Sequence, residues 1–298
     1  MTRLVLTADD AGLAAPLSKR IASLLAGGRL SATSVLACAP AFAAAVDALV
    51  AAEVTETGVH LCAVGGETPL SPLRSVSTLA PGGRFPGSWP VVAARVATGQ
   101  VRLAEVEREW EAQIAAVRDA GLLVTHLDSH QHLHLLPRLL PIALSLARRF
   151  DVPFVRAPHA GDPAAVGAPV GPAGRLRARL LSLFGAAARR QIADAGLPEP
   201  PRILGLAEAG RMTLPRWRSL VSGIPRTGTF EVVLHPGADD PEARNLYPWG
   251  YEWEAEARAL ESDELARLLA SRDLEVVSFS RLAVAPDPAG VVPQGVVP

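Results

Sequence analysis

Cysteine is scarce in this chain: two thiols, Cys38 and Cys62, among 298 residues. That excludes a disulfide framework and a CxxC zinc pattern. Both thiols lie in apolar surroundings and read as buried and structural. Net charge is nearly absent, at −1, so no basic field exists to hold nucleic acid or an anionic membrane. No apolar run reaches the roughly 18 residues of a membrane span. The opening Met1-Thr2-Arg3-Leu4-Val5-Leu6 enters a strand-like run with no signal-peptide pattern before it. The expectation is a cytoplasmic protein with no transmembrane segment. What is present is a globular composition, 49% hydrophobic and 20% charged, in a chain long enough for one large α/β domain.

Strand and helix patterns alternate along it. Leu4 to Thr7, Ala32 to Ala37, Thr57 to Leu61, Val124 to Leu127, Pro153 to Arg156, Thr229 to Leu234 and Glu275 to Phe279 read as strands. Helical spacing covers Pro16 to Leu25, Phe42 to Ala52, Leu103 to Val117, Pro137 to Arg149, Arg175 to Ala195 and Glu254 to Leu269. Residues 65–100 are rich in Gly, Pro and Ser and read as an excursion with little regular structure. Residues 159–174 read as a linker, and the tail from Pro286 as loose. The pattern predicts one irregular, TIM-like (β/α) barrel over residues 1–285, with insertions at about 65–100 and 159–225 and a tail at 286–298.

Polar residues gather just past the strand ends. Four of the seven histidines lie in Thr125-His126-Leu127-Asp128-Ser129-His130-Gln131-His132-Leu133-His134. Neutral imidazole is the commonest metal ligand, with a second nitrogen left for orientation. Alternation at 126, 128, 130, 132 and 134 places these residues on one side of an extended segment. Asp9 and Asp10 are adjacent carboxylates after a buried strand, so a cation or a shared proton must compensate them. A helix-capping Asp with a solvated neighbour is the alternative for that pair. His60 and His235 also close strands, and each alone reads as structural. Parallel neighbouring strands would bring all four positions to one face. Asp10, His60 and His130 would then give three mixed ligands with positions left open, the catalytic rather than the structural arrangement.

These segments resemble the YdjC-like carbohydrate deacetylase family. The resemblance rests on Thr7-Ala8-Asp9-Asp10-Ala11-Gly12, Gly58-Val59-His60-Leu61, Thr125 to His134 and His235-Pro236, in the family's order. It covers roughly residues 3–283 of the chain. It implies a barrel related to other polysaccharide deacetylases and hydrolysis of the N-acetyl group of an amino sugar. It implies one divalent metal on Asp10, His60 and His130, with Asp9 as the general base for a water there. His235 would be the acid for the leaving amine. Asp128, His132 and His134 would stand behind these residues, and Arg156 would orient Asp9, with a surface ion pair as the alternative for that arginine. The family pattern has Phe where this chain has Ala11, and His where it has Gln131. Magnesium is the metal often described for the family, whereas an Asp/His ligand set suits zinc, cobalt, nickel or manganese on softness.

The segments 203–212 and 247–253 look like the hopanoid-associated branch, which would make a lipid-linked N-acetylglucosaminyl group the substrate. The basic stretch Arg175–Arg190, with Leu176, Leu180, Leu181, Leu183 and Phe184, would suit peripheral membrane contact, against a solvated helix face packed on the barrel. Trp89, Trp249, Tyr251 and Trp253 could wall a sugar pocket or pack in the core. A homodimer is an expectation from the family alone. Two other readings stand beside the deacetylase: a metal-dependent phosphoesterase, and a non-catalytic carbohydrate- or lipid-binding protein.

Overall fold

The computed structural model describes residues 1–159 and 172–284, and side chains outside 172–182. Among the described residues, eight strands form one parallel sheet: β1 (Thr2–Ala11), β2 (Ala32–Val35), β3 (Glu56–Leu61), β4 (Leu123–Ser129), β5 (Phe154–Val155), β6 (Arg202–Leu204), β7 (Gly228–Leu234) and β8 (Leu274–Val276). Their order is β5-β4-β3-β2-β1-β7-β6, with β8 paired to the start of β1. The helices are α1 (Ala15–Ala26), α2 (Phe42–Ala51), α3 (Trp89–Ala97), α4 (Leu103–Asp119), α5 (Leu140–Arg149), α6 (Pro172–Asp194), α7 (Leu214–Gly223), α8 (Pro241–Leu246), α9 (Trp253–Glu261), α10 (Asp263–Ser271) and α11 (Phe279–Val284). The architecture is the expected one, a curled parallel half-barrel jacketed by helices.

The two-residue period of each strand sorts its side chains. Leu4, Leu6 and Ala8 of β1, Val59 and Leu61 of β3, Leu127 of β4 and Phe230, Val232 and Leu234 of β7 all belong to the main core with the helices. Val5, Ala32 and Phe154 form a separate small cluster with Val277 and Phe279, which fills the inside of the curl. Further along the same rows stand the polar Asp9, Ser34 and Arg156, so the inner rows of β1, β2 and β5 change from apolar to polar toward their C-terminal ends; Glu231 is a polar residue on the inner row of β7.

Several local expectations are corrected. The 65–100 excursion contains α3, begun by Pro90 in its first turn and buried through Val92 and Val96. Proline is tolerated there because that N–H has no helical partner. The 254–269 helix is two helices meeting at Ser262, whose hydroxyl accepts the Glu264 N–H at 3.2 Å and starts the second. The helix expected from Pro137 begins at Leu140, with Pro141 in its first turn. The linker reading falls mostly on 160–171, and the tail reading on 285–298; these lie outside the described residues. Helix α6 covers the basic stretch. Leu183 on it is exposed, and Ala188 and Ile192 are buried. Arg189 fastens it to the barrel through the carbonyls of Ala157, Pro200 and Pro201. Among the described residues no helix is long and apolar enough to cross a membrane.

Candidate metal centre

Ligand atoms of Asp10, His60 and His130 lie within 4.8 Å of one another, and all three residues are buried. Each arrives by a different backbone device. His60 sits on the inner row of β3. Strand alternation would send Asp10 outward with Ala8, but its φ of +67° turns it back over the barrel. Such a left-handed backbone is uncommon for a residue with a side chain, though Asp tolerates it better than most. His130 opens a 3₁₀ turn, His130–Leu135, directly after β4. That turn breaks the extended alternation expected through His134, because Gln131 and His132 both adopt φ +54°. His132 is half-buried and outside the triad. His134 folds back instead: its Nε2–H donates to the Arg156 carbonyl at 2.7 Å, and its Nδ1 accepts from Ser129 at 2.5 Å. Burial lowers the His134 pKa to about 4, so it serves as a neutral brace.

A hydrogen-bonded network supports the triad. His60 Nδ1–H donates to Asp128 Oδ1 at 2.8 Å, which leaves Nε2 facing Asp10 at 3.4 Å. An imidazole that ligates through one nitrogen and donates the other to a carboxylate is the usual arrangement at metal sites. Ser34 donates to Asp128 at 2.9 Å and sits 3.1 Å from the same His60 nitrogen. Arg156 lies at the centre. It grips Asp9 through two bonds of 2.7 and 2.8 Å, Asp128 at 2.7 Å and Glu231 at 2.6 Å. Arg156 thus contacts both oxygens of Asp9. Sequence reasoning missed Ser34 and Glu231. Both lie on inner rows, and a polar residue inside an otherwise apolar strand was the available signal.

The charges follow from this packing. Burial works to raise Asp9, but Arg156 and nearby His60 outweigh it and hold the carboxyl far below its usual range. Burial also opposes ionisation of Asp10, and His130 beside it wins, so its pKa is lowered. Burial pulls His60 down, yet Asp128 and Asp9 raise it to about 9. His130 is raised against burial by Asp10. His235 lies 3.9 Å from Asp10 and edge-on to Tyr251, with burial lowering its pKa. At Glu231 burial wins over Arg156 and the pKa is raised.

Gly58 explains its place before His60. A Cβ there would lie 2.3 Å from Nε2 of His126, which stacks on Phe279 at 4.0 Å. His126 thus fills the barrel beneath the site and is no ligand; burial lowers its pKa to about 4. Gln131, the departure from the family pattern, accepts the Trp89 N–H at 3.0 Å and ties the start of α3 to the histidine turn. Trp253 is buried in the core, whereas Trp249 lies 5.2 Å from the His130 ring.

The donor set fits a divalent cation: three buried donors converge, one pre-oriented by Asp128, and an ionised carboxylate stands beside them. A second cluster, Asp9, His60 and Asp128, also has donors in reach of one another. Arg156 already compensates both of its carboxylates.

Comparisons with known proteins place the chain in a family. A carbohydrate deacetylase of Listeria welshimeri is 26% identical over 283 residues, covering 94% of this chain and all of that protein. A human carbohydrate deacetylase is 34% identical over 159 residues, 52% of this chain and 48% of that protein. One from Oceanobacillus iheyensis is 29% identical over 151 residues, 51% of this chain and 63% of that protein. The chain thus spans about half to two thirds of the length of these last two relatives. A crystal structure from Enterococcus faecalis, described as a proposed cellobiose-phosphate cleavage protein, shares the fold with a TM-score of 0.70 at 23% identity, covering 94% of this chain and 98% of that one. The sequence pattern described as YdjC-like protein matches residues 3–271. With that match over most of its length, the chain belongs to the YdjC-like family.

Proposed function

We propose that this protein hydrolyses the N-acetyl group of an amino sugar, with one divalent cation held by Asp10, His60 and His130. The observation that carries the reading is the convergence of these three buried donors beside a second, ionised carboxylate, Asp9. The relatives named as carbohydrate deacetylases support the substrate class. A cation bound there would polarise an amide carbonyl and acidify a water.

The protein's own groups do the rest. Arg156 keeps Asp9 ionised and fixes both its oxygens, so Asp9 is aimed to accept a proton from the attacking water. A carboxylate with so low a pKa is a weak base. The water must therefore be acidified, which is why the cation and Asp9 belong to one site. Asp128 holds His60 in the tautomer that leaves Nε2 for ligation. His235, 3.9 Å from Asp10, has its pKa lowered by burial and so starts neutral. It takes up the proton that Asp9 removes from the water and passes it to the departing amine nitrogen.

Against a two-metal phosphoesterase, Arg156 occupies the place between Asp9 and Asp128 that a second cation would take. Magnesium and zinc are the first ions to test, with cobalt, nickel and manganese beside them. Free and lipid-linked N-acetylglucosamine are the first substrates.

The test is acetate release from N-acetylglucosamine, its oligomers and a lipid-linked form, with metal or with chelator. Wild type should release acetate only with metal. Asp9→Asn should keep the metal and lose roughly 10²–10⁴-fold in turnover, the usual contribution of a general base. No acetate from any substrate, with metal demonstrably bound, would overturn the reading.

A further inference from the structure

The loop after β3 bends across the metal-ligand triad. Gly65 has φ +92°, and a Cβ there would lie 3.1 Å from Cδ2 of His130. Two residues on, Glu67 is buried at 8% exposure. Its Oε1 accepts the Tyr247 hydroxyl at 2.9 Å. The other oxygen, Oε2, accepts no hydrogen bond from any described residue, nor is it sealed from solvent. A carboxylate oxygen with open lone pairs, held at the edge of a site, suits a donor from outside the protein.

The neighbours supply an aromatic wall. Tyr247 lies 5.0 Å from Trp249, Trp249 5.2 Å from His130, and Trp249 5.4 Å from Tyr251. Tyr251 in turn meets His235 at 4.8 Å. The wall thus runs beside the candidate metal ligands and ends at the candidate acid. Trp249 is half-buried.

The loop is also held rigidly. Buried Glu109 on α4 accepts the N–H groups of Leu70 and Ser71 at 3.0 and 2.9 Å. Glu105, one turn earlier, does the same for Thr78 and Leu79 at 2.7 and 2.9 Å. The Glu67 carbonyl accepts from Phe85 at 2.9 Å. Carboxylates spent on backbone amides fix a loop more firmly than neutral bonds do. Glu67 is therefore positioned before any ligand arrives.

We propose that Trp249 and Glu67 form a sugar-ring subsite, with the pyranose face stacked on Trp249 and a ring hydroxyl donating to Glu67. The subsite favours a hydroxylated ring, because the open Glu67 oxygen accepts a donor. It rests on the deacetylase reading for the reaction but can be measured without it.

The experiment uses the full chain loaded with metal and two probes, N-acetylglucosamine and di-N-acetylchitobiose. Binding is followed by calorimetry and tryptophan fluorescence. Acetate kinetics run in parallel, and thermal unfolding checks that each variant is folded. Wild type should bind a probe and change its emission. Trp249→Phe should abolish most of that change and weaken binding. Glu67→Gln keeps an acceptor for Tyr247 but loses the charge, and should weaken binding about tenfold or more, as expected for a hydrogen bond to a charged group. Where acetate is released, the loss should fall on KM rather than kcat. Failure of wild type to bind either probe, or folded variants with unchanged affinity and KM, would overturn the subsite. Acetate release with unchanged KM in both variants refutes the subsite and leaves the deacetylase reading standing. Binding lost in the variants, with no acetate from wild type, does the reverse.

Discussion

Replacing Arg156 with Met removes the positive charge at the centre of the site while keeping a long apolar stem. Arg156 is 2% exposed, and its partners Asp9, Asp128 and Glu231 are 3%, 0% and 1% exposed. Taking one partner from a buried ion pair costs about 3–5 kcal/mol, because the other charge is left uncompensated. Here three carboxylates lose the same partner. The metal-free variant should therefore lose at least about 3 kcal/mol at pH 8. The pH dependence has a definite sign. In wild type the Asp9 pKa is depressed, so its stabilisation is fully present above the unfolded carboxyl range and flat from pH 5 to 8. In the variant, burial without Arg156 raises the carboxyl pKa values. Protonation then relieves the folded state as pH falls. The difference between the two proteins should shrink toward pH 5, by up to about 1.4 kcal/mol per pH unit for each proton taken up. Urea unfolding of metal-free protein at pH 5, 6.5 and 8 measures it. A penalty under about 1 kcal/mol at pH 8, or one no smaller at pH 5, would refute the electrostatic account of Arg156.

Metal affinity should rise with pH. His60 is held protonated up to about pH 9 in the metal-free protein, so binding must displace that proton, and apparent affinity should climb about tenfold per pH unit from pH 6 to 8. Calorimetry in buffers of different ionisation heat would count the released protons, and zero would contradict the raised His60. The same shift means that the His60–Asp128 pair stabilises metal-free protein fully below pH 6.5 and loses that contribution as pH rises through about 9. Gly58→Ala should destabilise by about 1–3 kcal/mol, since its Cβ would enter the space of the His126 ring. It should also weaken metal binding, because His60 lies two residues further along β3. An unchanged unfolding midpoint would show that His126 moves aside freely.

Much of the fold was legible in the sequence, because hydrophobic period is a local property of the chain. The inner and outer rows of β1, β3 and β7 follow from alternation, and glycine or proline marks many of their ends. The candidate site residues Asp9, Asp10, His60, His130 and His235 were visible as polar residues at strand ends. Their convergence was an expectation that depended on strand order, and the parallel order β4-β3-β2-β1-β7 supplies it. Other features exist only in three dimensions. No periodicity announces that Asp10 takes a left-handed backbone, or that the histidine segment leaves the extended form at His130. Those turns are set by what the finished barrel must accommodate. Arg156 and Glu231 are 75 residues apart, and Glu67 and Tyr247 are 180 apart. A charge finds its partner only after the curl brings distant strands together. The order of residues was enough to sort the inward from the outward side chains wherever a strand stays extended, since the pleat fixes that; Asp10 is the exception. The tertiary structure decided which of those inward groups share a charge, a proton or a ligand, because those interactions act over a few ångströms and ignore separation along the chain.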